Sequence, residues 1–266
     1  SDPAFAAVAD GWRERGLARE WTDSFAVVDR NGGDPGASPG PMRWAAPGGL
    51  RSLVEDLLQG VDVTSDREVE QVDVDGDGLA VDGEPASAVV LAMPQPQAID
   101  LLPTPLADRL GLEAGLEWFP TLTVWAAWRE RWWPAMDGAF VLGSDVVDRL
   151  ADDGRRRGDG APVLVAHSRH DFAARFLDDP EAGVRPVLAE VAALLGAPPG
   201  RVPEPVFAKV RRWSLAAPCV TQDRPFALDD QLPVGVCGDA WGPRSRVEQA
   251  WLSGNALGEA LAGRLR

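Results

Sequence analysis

The spacing of apolar and polar residues along the chain predicts alternating helices and strands. Residues 50–58 carry apolar side chains at helical spacing, directly after a Gly-Gly pair. A continuous apolar run over residues 88–93 is typical of a buried strand, and Pro94 ends it before a further helix through residue 102. Alternating apolar positions on both sides of residues 75–78 predict a β-hairpin. The chain therefore mixes both kinds of element.

The rest of the chain continues this mixture, and it contains no internal repeat. Strands are expected at residues 24–28, 118–133, 162–167, 207–215 and 233–237, and helices at residues 2–12, 170–177, 180–195 and from Val247 onward. Residues 29–41 and 198–205 are rich in glycine and proline, so we expect a loop and a linker there.

Length and charge narrow the classes of partner. A chain of 266 residues can form one large domain or two interleaved ones. Its net charge of −15 repels phosphate backbones and anionic lipid, so we expect neither a nucleic acid nor a membrane partner. The two cysteines, Cys219 and Cys237, form no disulfide framework and fit a reducing compartment. Since no apolar run approaches about 18 residues and no secretory signal pattern is present, we expect a cytoplasmic protein.

The C-terminal segment carries the strongest candidate chemistry. A short apolar strand ends in Gly238-Asp239, and a helix rich in small residues begins near Val247. A glycine lets the backbone approach a ligand closely, and a carboxylate can accept hydrogen bonds from sugar-like hydroxyls. The start of the helix offers free N–H groups and the positive end of its dipole. A glycine-rich turn into an ordinary core helix would give the same pattern, so the residues alone leave both interpretations open.

This segment resembles the C-terminal flavin-binding segment of FAD-dependent amine-oxidase-like oxidoreductases, most of all their renalase-like branch. Gly238-Asp239, then Arg246-Val247-Glu248 with Ala250, and then Ser253-Gly254 follow the family order G-D-W, R-V-E-x-A, S-G. In the segment 210–218, Arg211 replaces the family's usual histidine. The likeness covers nearly the whole chain, through further segments at residues 2–5, 47–50 and 89–97.

The resemblance implies an α/β fold of amine-oxidase type, in which an incomplete Rossmann-like FAD domain is interleaved with a mixed-sheet substrate domain. Residues 48–104 and 205–266 would form the remainder of the FAD domain, and residues 1–47 and 105–204 the substrate domain. The implied cofactor is FAD, and the implied partner is a small-molecule substrate, either related to NAD(P)H or an amine. That substrate would donate a hydride to flavin N5, and oxygen would reoxidise the flavin. Such a transfer needs no protein base, so no catalytic residue and no metal is assigned.

By the same resemblance, seven residues would contact the cofactor. Asp239 would bind the ribityl chain, and the backbone around Val247 would face the pyrimidine edge of the flavin. A strand around Val69 would contact adenine through its backbone. The complete implied set is Val69, Pro94, Gly238, Asp239, Arg246, Val247 and Ala250.

The chain departs from the family pattern in one large respect. A flavin site of this type requires a G-x-G-x-x-G turn that seats the pyrophosphate at a helix N-terminus. Valine replaces the third glycine in both G-x-G sequences, which begin at Gly76 and Gly158. The glycine-rich unit is therefore expected before Ser1 or has been lost, and we expect an open edge in the parallel sheet and weak FAD binding by these residues alone. A flavin-free binding domain without catalytic activity is the alternative function.

Other patterns suggest weaker candidate sites. Residues 73–84 satisfy the spacing of a calcium loop, but strand-like segments flank them where that motif has helices. Cys237 stands in G-x-C-x-D, which lacks the last glycine of a nucleophile elbow, so a buried structural thiol is favoured. His167 and His170 could be zinc ligands, but no spaced cysteine completes the set, and a surface or capping role is favoured.

Two sets of side chains could belong to a substrate site. Four tryptophans could either line a cavity or pack in the core. Four arginines are candidates for binding an anionic substrate, although ordinary surface charge is the simpler interpretation. These sets are Trp125, Trp128, Trp132 and Trp133, and Arg155, Arg156, Arg211 and Arg212.

Overall fold

The computed structural model describes residues 2–32, 36–76, 78–197 and 204–266. Contacts within it divide the chain into two compact units. Unit 1 consists of Ser1–Ala7, Asp62–Phe119 and Ala217–Arg266, and unit 2 consists of Val8–Val61 and Pro120–Ala216. Residues 198–203 of the expected linker and Asp77 of the calcium-like pattern lie outside the described residues.

The described residues form strands and helices of mixed order, as expected for the α/β class. The strands are β1 (Arg19–Asp29), β2 (Ala37–Ala45), β3 (Val72–Asp75), β4 (Gly78–Val81), β5 (Glu84–Ala86), β6 (Val89–Ala92), β7 (Trp118–Ala127), β8 (Gly138–Leu142), β9 (Val147–Asp152), β10 (Val163–Ser168), β11 (Phe207–Pro218), β12 (Ala227–Leu228) and β13 (Val234–Cys237). The helices are α1 (Pro3–Glu14), α2 (Leu50–Leu57), α3 (Gln95–Leu101), α4 (Thr104–Arg109), α5 (Asp153–Arg157), α6 (His170–Ala174), α7 (Val184–Leu194) and α8 (Val247–Arg264).

Unit 2 is built on a seven-stranded mixed sheet in the order β11-β7-β10-β9-β8-β1-β2. The pair β1–β8 is parallel, whereas β1–β2, β8–β9, β9–β10 and β10–β7 are antiparallel. Side chains alternate across a strand, and the alternation in β7 separates two faces of the sheet. Leu122, Val124 and Ala126 are buried, and they pack in one cluster with Val187 and Val191 of α7. The intervening positions therefore lie on the opposite face.

Unit 1 holds two three-stranded sheets, β12-β13-β6 and β3-β4-β5. Every residue of β13 is buried, and its parallel partner β6 forms one edge of its sheet, where Val90 is 47% exposed. Among the described strands, β6 is therefore an open edge of the parallel pair, as expected. Gly235 has a packing role, because a Cβ there would lie 2.5 Å from Leu257 Cδ1 of α8 and 2.9 Å from the Ala227 carbonyl oxygen. The glycine thus lets α8 lie directly on the central strand.

Several elements differ from the sequence-based expectations. The segment 29–41 includes the start of β2, although glycine and proline predicted a loop there. Among the described strands β2 pairs only with β1, at the edge of the sheet, so its prolines leave few ladder hydrogen bonds unmade. Residues 128–133 do not continue β7, and α7 follows a separate 3₁₀ turn over Pro180–Gly183. Val69 lies in a segment without regular secondary structure before β3, so the strand expected around it begins three residues later.

The two units also cut the chain at positions other than the predicted domain boundaries. Residues 48–61 fall in unit 2, and residues 105–119 fall in unit 1. Unit 1 holds Gly238-Asp239 and Ala92-Met93-Pro94, which the resemblance assigns to a flavin domain. The assignment of one unit to the flavin and the other to the substrate stays a prediction.

Candidate flavin edge and substrate face

The first candidate site lies at the carboxyl ends of β6 and β13. The two strands are parallel, with Val234 opposite Val89 and Cys237 opposite Ala92. Because both strands end at the same edge, Met93-Pro94 and Gly238-Asp239 follow them side by side. Ligands of open α/β sheets bind outside the carboxyl ends of strands. The sheet therefore brings predicted residues from distant parts of the sequence to one place.

Gly238 connects this edge to α8. Its φ of 152° lies in a region that favours glycine, whereas a Cβ there would make only an ordinary contact with the Met93 carbonyl oxygen at 3.8 Å. The backbone conformation, rather than a lack of space, therefore requires the glycine. The Gly238 amide donates to Ser253 Oγ (3.1 Å), and that fully buried hydroxyl donates to the Pro225 carbonyl oxygen (2.6 Å). This chain of bonds fixes the strand end against the helix.

Asp239 offers a partly free carboxylate at the same edge. The Ser245 hydroxyl donates to Oδ2, while Oδ1 accepts no hydrogen bond from the described part of the chain. The side chain is half-buried. A carboxylate that is held on one oxygen and open on the other can accept hydrogen bonds from ligand hydroxyls.

The N-terminus of α8 supplies donors beside that carboxylate. Arg246 precedes the helix in an extended conformation, and no side chain caps the first turn. Val247 is 55% exposed at this point. The buried Glu248 binds Arg246 Nη2 at 2.7 Å and accepts from the Asp2 amide at 2.5 Å. The Arg246 guanidinium therefore compensates the acid, and the uncapped N–H groups stay available to an acceptor.

Six of the seven predicted contact residues thus lie at two adjoining features, the strand edge and the helix start. The edge carries Pro94, Gly238 and Asp239, the helix start carries Arg246, Val247 and Ala250, and the Ser245–Asp239 bond joins them. Val69 is the exception, because it precedes β3 and none of the described hydrogen bonds connects it to this edge.

A second feature, missed by the sequence interpretation, lies on the open face of the unit 2 sheet. Register places Arg149 of β9 opposite His167 of β10, and His167 opposite Thr123 of β7. Thr123 Oγ1 lies 3.1 Å from His167 Nδ1 and accepts from Trp213 Nε1 of β11 at 3.1 Å. We call these four residues the cross-strand row. The row borders a cavity of about 590 Å³.

The electrostatics of the row keep His167 neutral. Burial lowers the pKa of His167 to about 4, and the nearby Arg149 acts in the same direction. Asp148 opposes this shift less strongly than Arg149 supports it, and Arg156 adds a smaller lowering effect. Thr123 Oγ1 accepts a hydrogen bond from Trp213, and the hydroxyl proton of Thr123 is then available to be donated to His167 Nδ1. In that arrangement the Nε2 of the imidazole carries the hydrogen and acts as a donor.

The sequence as a whole matches a family model. The model for flavin-containing amine oxidoreductases covers residues 5–257. The chain belongs to the flavin-containing amine oxidoreductase family. No curated protein matches it in sequence.

Several solved structures share the fold of this chain at low sequence identity. A protein named as a protoporphyrinogen oxidase, from Exiguobacterium sp. 255-15, aligns with a TM-score of 0.62 and 16% identity over 85% of this chain. Wild-type putrescine oxidase with bound putrescine gives 0.59 and 20% over 83%, and an oxidoreductase from Methanosarcina mazei gives 0.60 and 14% over 80%. The chain spans 54% of each of these solved chains.

The strand edge and the helix start, which we together call the flavin edge, fit part of the cofactor of this oxidoreductase family. The open Oδ1 of Asp239 suits a ribityl hydroxyl, and the uncapped start of α8 suits the electron-rich edge of a flavin ring. A pyrophosphate requires a glycine-rich turn, which the 266 residues do not contain. The residues present therefore fit the flavin end of FAD and lack the expected seat for its phosphates.

The structure allows each of the weaker candidate sites from the sequence to be assessed. Cys237 is buried against Leu257 and Leu261, and burial raises the pKa of its thiol, so the predicted structural role is confirmed. Within the described residues, no three potential ligands come together to hold a metal ion. The strands β3 and β4 flank the calcium-like loop, which confirms the hairpin. The surface or capping role favoured for His167 is wrong, since it belongs to the cross-strand row.

The four tryptophans divide between the two predicted roles. Trp128 and Trp133 are buried and pack with Trp132 in edge-on geometry, with ring centroids 5.3–5.6 Å apart. These three belong to the core cluster of unit 2. Trp125 instead lines the cavity beside the cross-strand row.

No described helix is both long enough and apolar enough to cross a membrane.

Proposed function

We propose that this chain forms the flavin-ring and substrate-binding parts of an FAD-dependent oxidoreductase of the renalase-like type. The observation that carries the proposal is the placement of Gly238-Asp239 at the carboxyl edge of β13, joined through Ser245 to the uncapped start of α8. Family membership supports a flavin, and the R-V-E-x-A and S-G order supports the renalase-like branch.

Each part of this edge has a defined task in the proposal. Asp239 Oδ1 accepts hydrogen bonds from the ribityl chain, and the N–H groups near Val247 bind the pyrimidine edge. Pro94, which follows the end of β6, bounds the flavin site beside that strand. The small side chain of Ala250 keeps α8 narrow beside the ring. When bound, the FAD would accept a hydride at N5 from a reduced nicotinamide-like or amine substrate and pass the electrons to oxygen.

The proposal includes a limit on affinity. Because these residues contain no pyrophosphate cradle, we expect the chain to bind FAD weakly by itself and tightly when a glycine-rich βαβ unit is joined ahead of Ser1. The edge of β6 is the place where a parallel strand of that unit could pair.

The visible absorption spectrum after gel filtration tests the proposal. We would compare the 266-residue chain, the chain extended by a βαβ unit, and the extended chain carrying Asp239→Ala, each mixed with FAD. Flavin bands retained by the extended chain and lost from its Asp239→Ala variant would support the site. An Arg51→Gln variant, changed at an exposed position on α2, serves as the control. An extended chain that folds but stays colourless would refute the proposal and favour a flavin-free binding domain.

A further inference from the structure

The open sheet face of unit 2 has the composition of a binding surface. The cavity beside the cross-strand row has two aromatic walls, Trp125 and Trp213, and two guanidinium groups, Arg149 and Arg211. A neighbouring depression of about 470 Å³ shares Trp125 and continues along β10 and β7. All of these residues lie within unit 2.

The charge of the cavity is opposite to the charge of the protein. Among the described residues that line it there is no aspartate or glutamate, although the chain as a whole carries −15. The Arg211 guanidinium lies over the Trp213 ring, 5.4 Å from its centroid, and forms no ion pair within the described chain. Arg149 uses its Nε to bind Asp148 at 2.9 Å, which leaves its terminal nitrogens open. One unpaired and one partly paired cation therefore face the same space.

The aromatic and polar groups favour a flat ligand. The indole of Trp213 is held in place by its hydrogen bond to Thr123, so its orientation is fixed before a ligand binds. An uncharged His167 lies at the centre of the row, and it offers a ring N–H donor when its Nε2 carries the hydrogen. Fixed aromatic walls suit stacking of a ring, and guanidinium groups bind carboxylates and phosphates in a forked geometry.

We propose that this cavity recognises a planar ring compound that carries a carboxylate or phosphate group, with Arg211 and Arg149 binding the anionic group and Trp125 and Trp213 contacting the ring. This inference rests on the proposed oxidoreductase function and specifies its substrate class. A protonated amine is disfavoured in the same cavity, because its charge would approach two guanidinium groups with no lining carboxylate to offset them.

Calorimetric titration of the 266-residue chain tests the inference without flavin or turnover. Benzoate, phenyl phosphate and benzylamine share one ring and differ in their charged group, so they separate a carboxylate from a phosphate and both from an amine. The variants are Arg211→Gln and Arg149→Gln. Arg51→Gln is the matched control, because it removes one positive charge from an 85% exposed side chain in the same unit. Thermal melts establish that each variant is folded.

We expect at least one of the two anions to bind tenfold or more tighter than benzylamine. Arg211→Gln should weaken that anion about tenfold or more, as expected for loss of a charge-assisted hydrogen bond, and Arg51→Gln should leave it unchanged. Equal or tighter binding of benzylamine, absence of any ring binding, or equal effects of Arg211→Gln and Arg51→Gln would overturn the inference.

The two proposals fail separately. If the extended chain retains FAD through Asp239 but its cavity shows no preference for anions, only the substrate inference is wrong. If the anion preference depends on Arg211 and the extended chain never retains FAD, the oxidoreductase function is wrong while the binding site stands.

Discussion

Replacing Asp152 should strongly destabilise the sheet that carries the cross-strand row. The Asp152 side chain is fully buried at the end of β9 and accepts four hydrogen bonds. Oδ2 accepts from Arg131 Nε at 2.8 Å and from Trp133 Nε1 at 2.9 Å. Oδ1 accepts from Arg131 Nη2 at 3.2 Å and from the Arg155 amide at 2.9 Å, which caps α5. One carboxylate therefore joins a strand, a helix start and the tryptophan cluster.

The size of the effect follows from these contacts. Removing one partner of a buried ion pair costs about 3–5 kcal/mol, but Arg131 is 31% exposed and water can take over part of its solvation. A buried Trp133 N–H without an acceptor costs about 1–3 kcal/mol, and loss of a helix cap about 1 kcal/mol. Asp152→Asn keeps an acceptor for the α5 cap, so we expect a loss of about 3 kcal/mol. Asp152→Ala removes every acceptor, and we expect about 4 kcal/mol.

Urea unfolding followed by tryptophan fluorescence measures this loss as a change in the free energy of unfolding. Asp10→Asn is the control, because Asp10 and its partner Arg13 are 54% and 50% exposed and such a pair contributes less than about 1 kcal/mol. If Asp152→Asn costs no more than Asp10→Asn, the carboxylate does not organise the sheet and the reasoning is wrong.

Three further predictions concern stability. Because the pKa of His167 is about 4, below its ordinary 6.5, the unfolded chain binds a proton first, so about 3 kcal/mol of stability should be lost as pH falls from 6.5 to 4, and His167→Gln should remove this part of the pH profile. Gly154→Ala should cost about 3 kcal/mol or more, since its Cβ would lie 2.0 Å from the Ala161 carbonyl oxygen, while Gly263→Ala, in open space on α8, should be neutral or stabilising in the same melts. Although burial raises the pKa of Asp229, the Arg109 hydrogen bond and two backbone amides outweigh it and lower the pKa, so Asp229→Asn should cost about 2 kcal/mol in chemical unfolding, and a neutral result would contradict this account.

Local patterns predicted the elements of the flavin edge well. The apolar runs gave β6 and β13, and the break at Gly238 followed by small residues gave α8, because each of these signals lies within a short stretch of sequence. The prediction failed where a segment's environment mattered more than its composition. β2 is an edge strand despite its prolines, and Val69 precedes its strand because β3 begins only where it can pair with β4. Neither fact is encoded in local spacing.

The cross-strand row was harder to predict from the sequence than the flavin edge. The flavin edge is largely one segment, from Gly238 to Ala250, so a family resemblance can identify it residue by residue. The row comes from four strands, and only the order β11-β7-β10-β9 brings Trp213 within reach of Thr123, 90 positions earlier in the sequence. At 14–20% identity, the solved structures show a shared fold. They do not indicate the roles of the side chains on the open face of this sheet, which must be judged from this chain itself. The proposed preference for an anion therefore rests on the charges and rings of that face rather than on the family name.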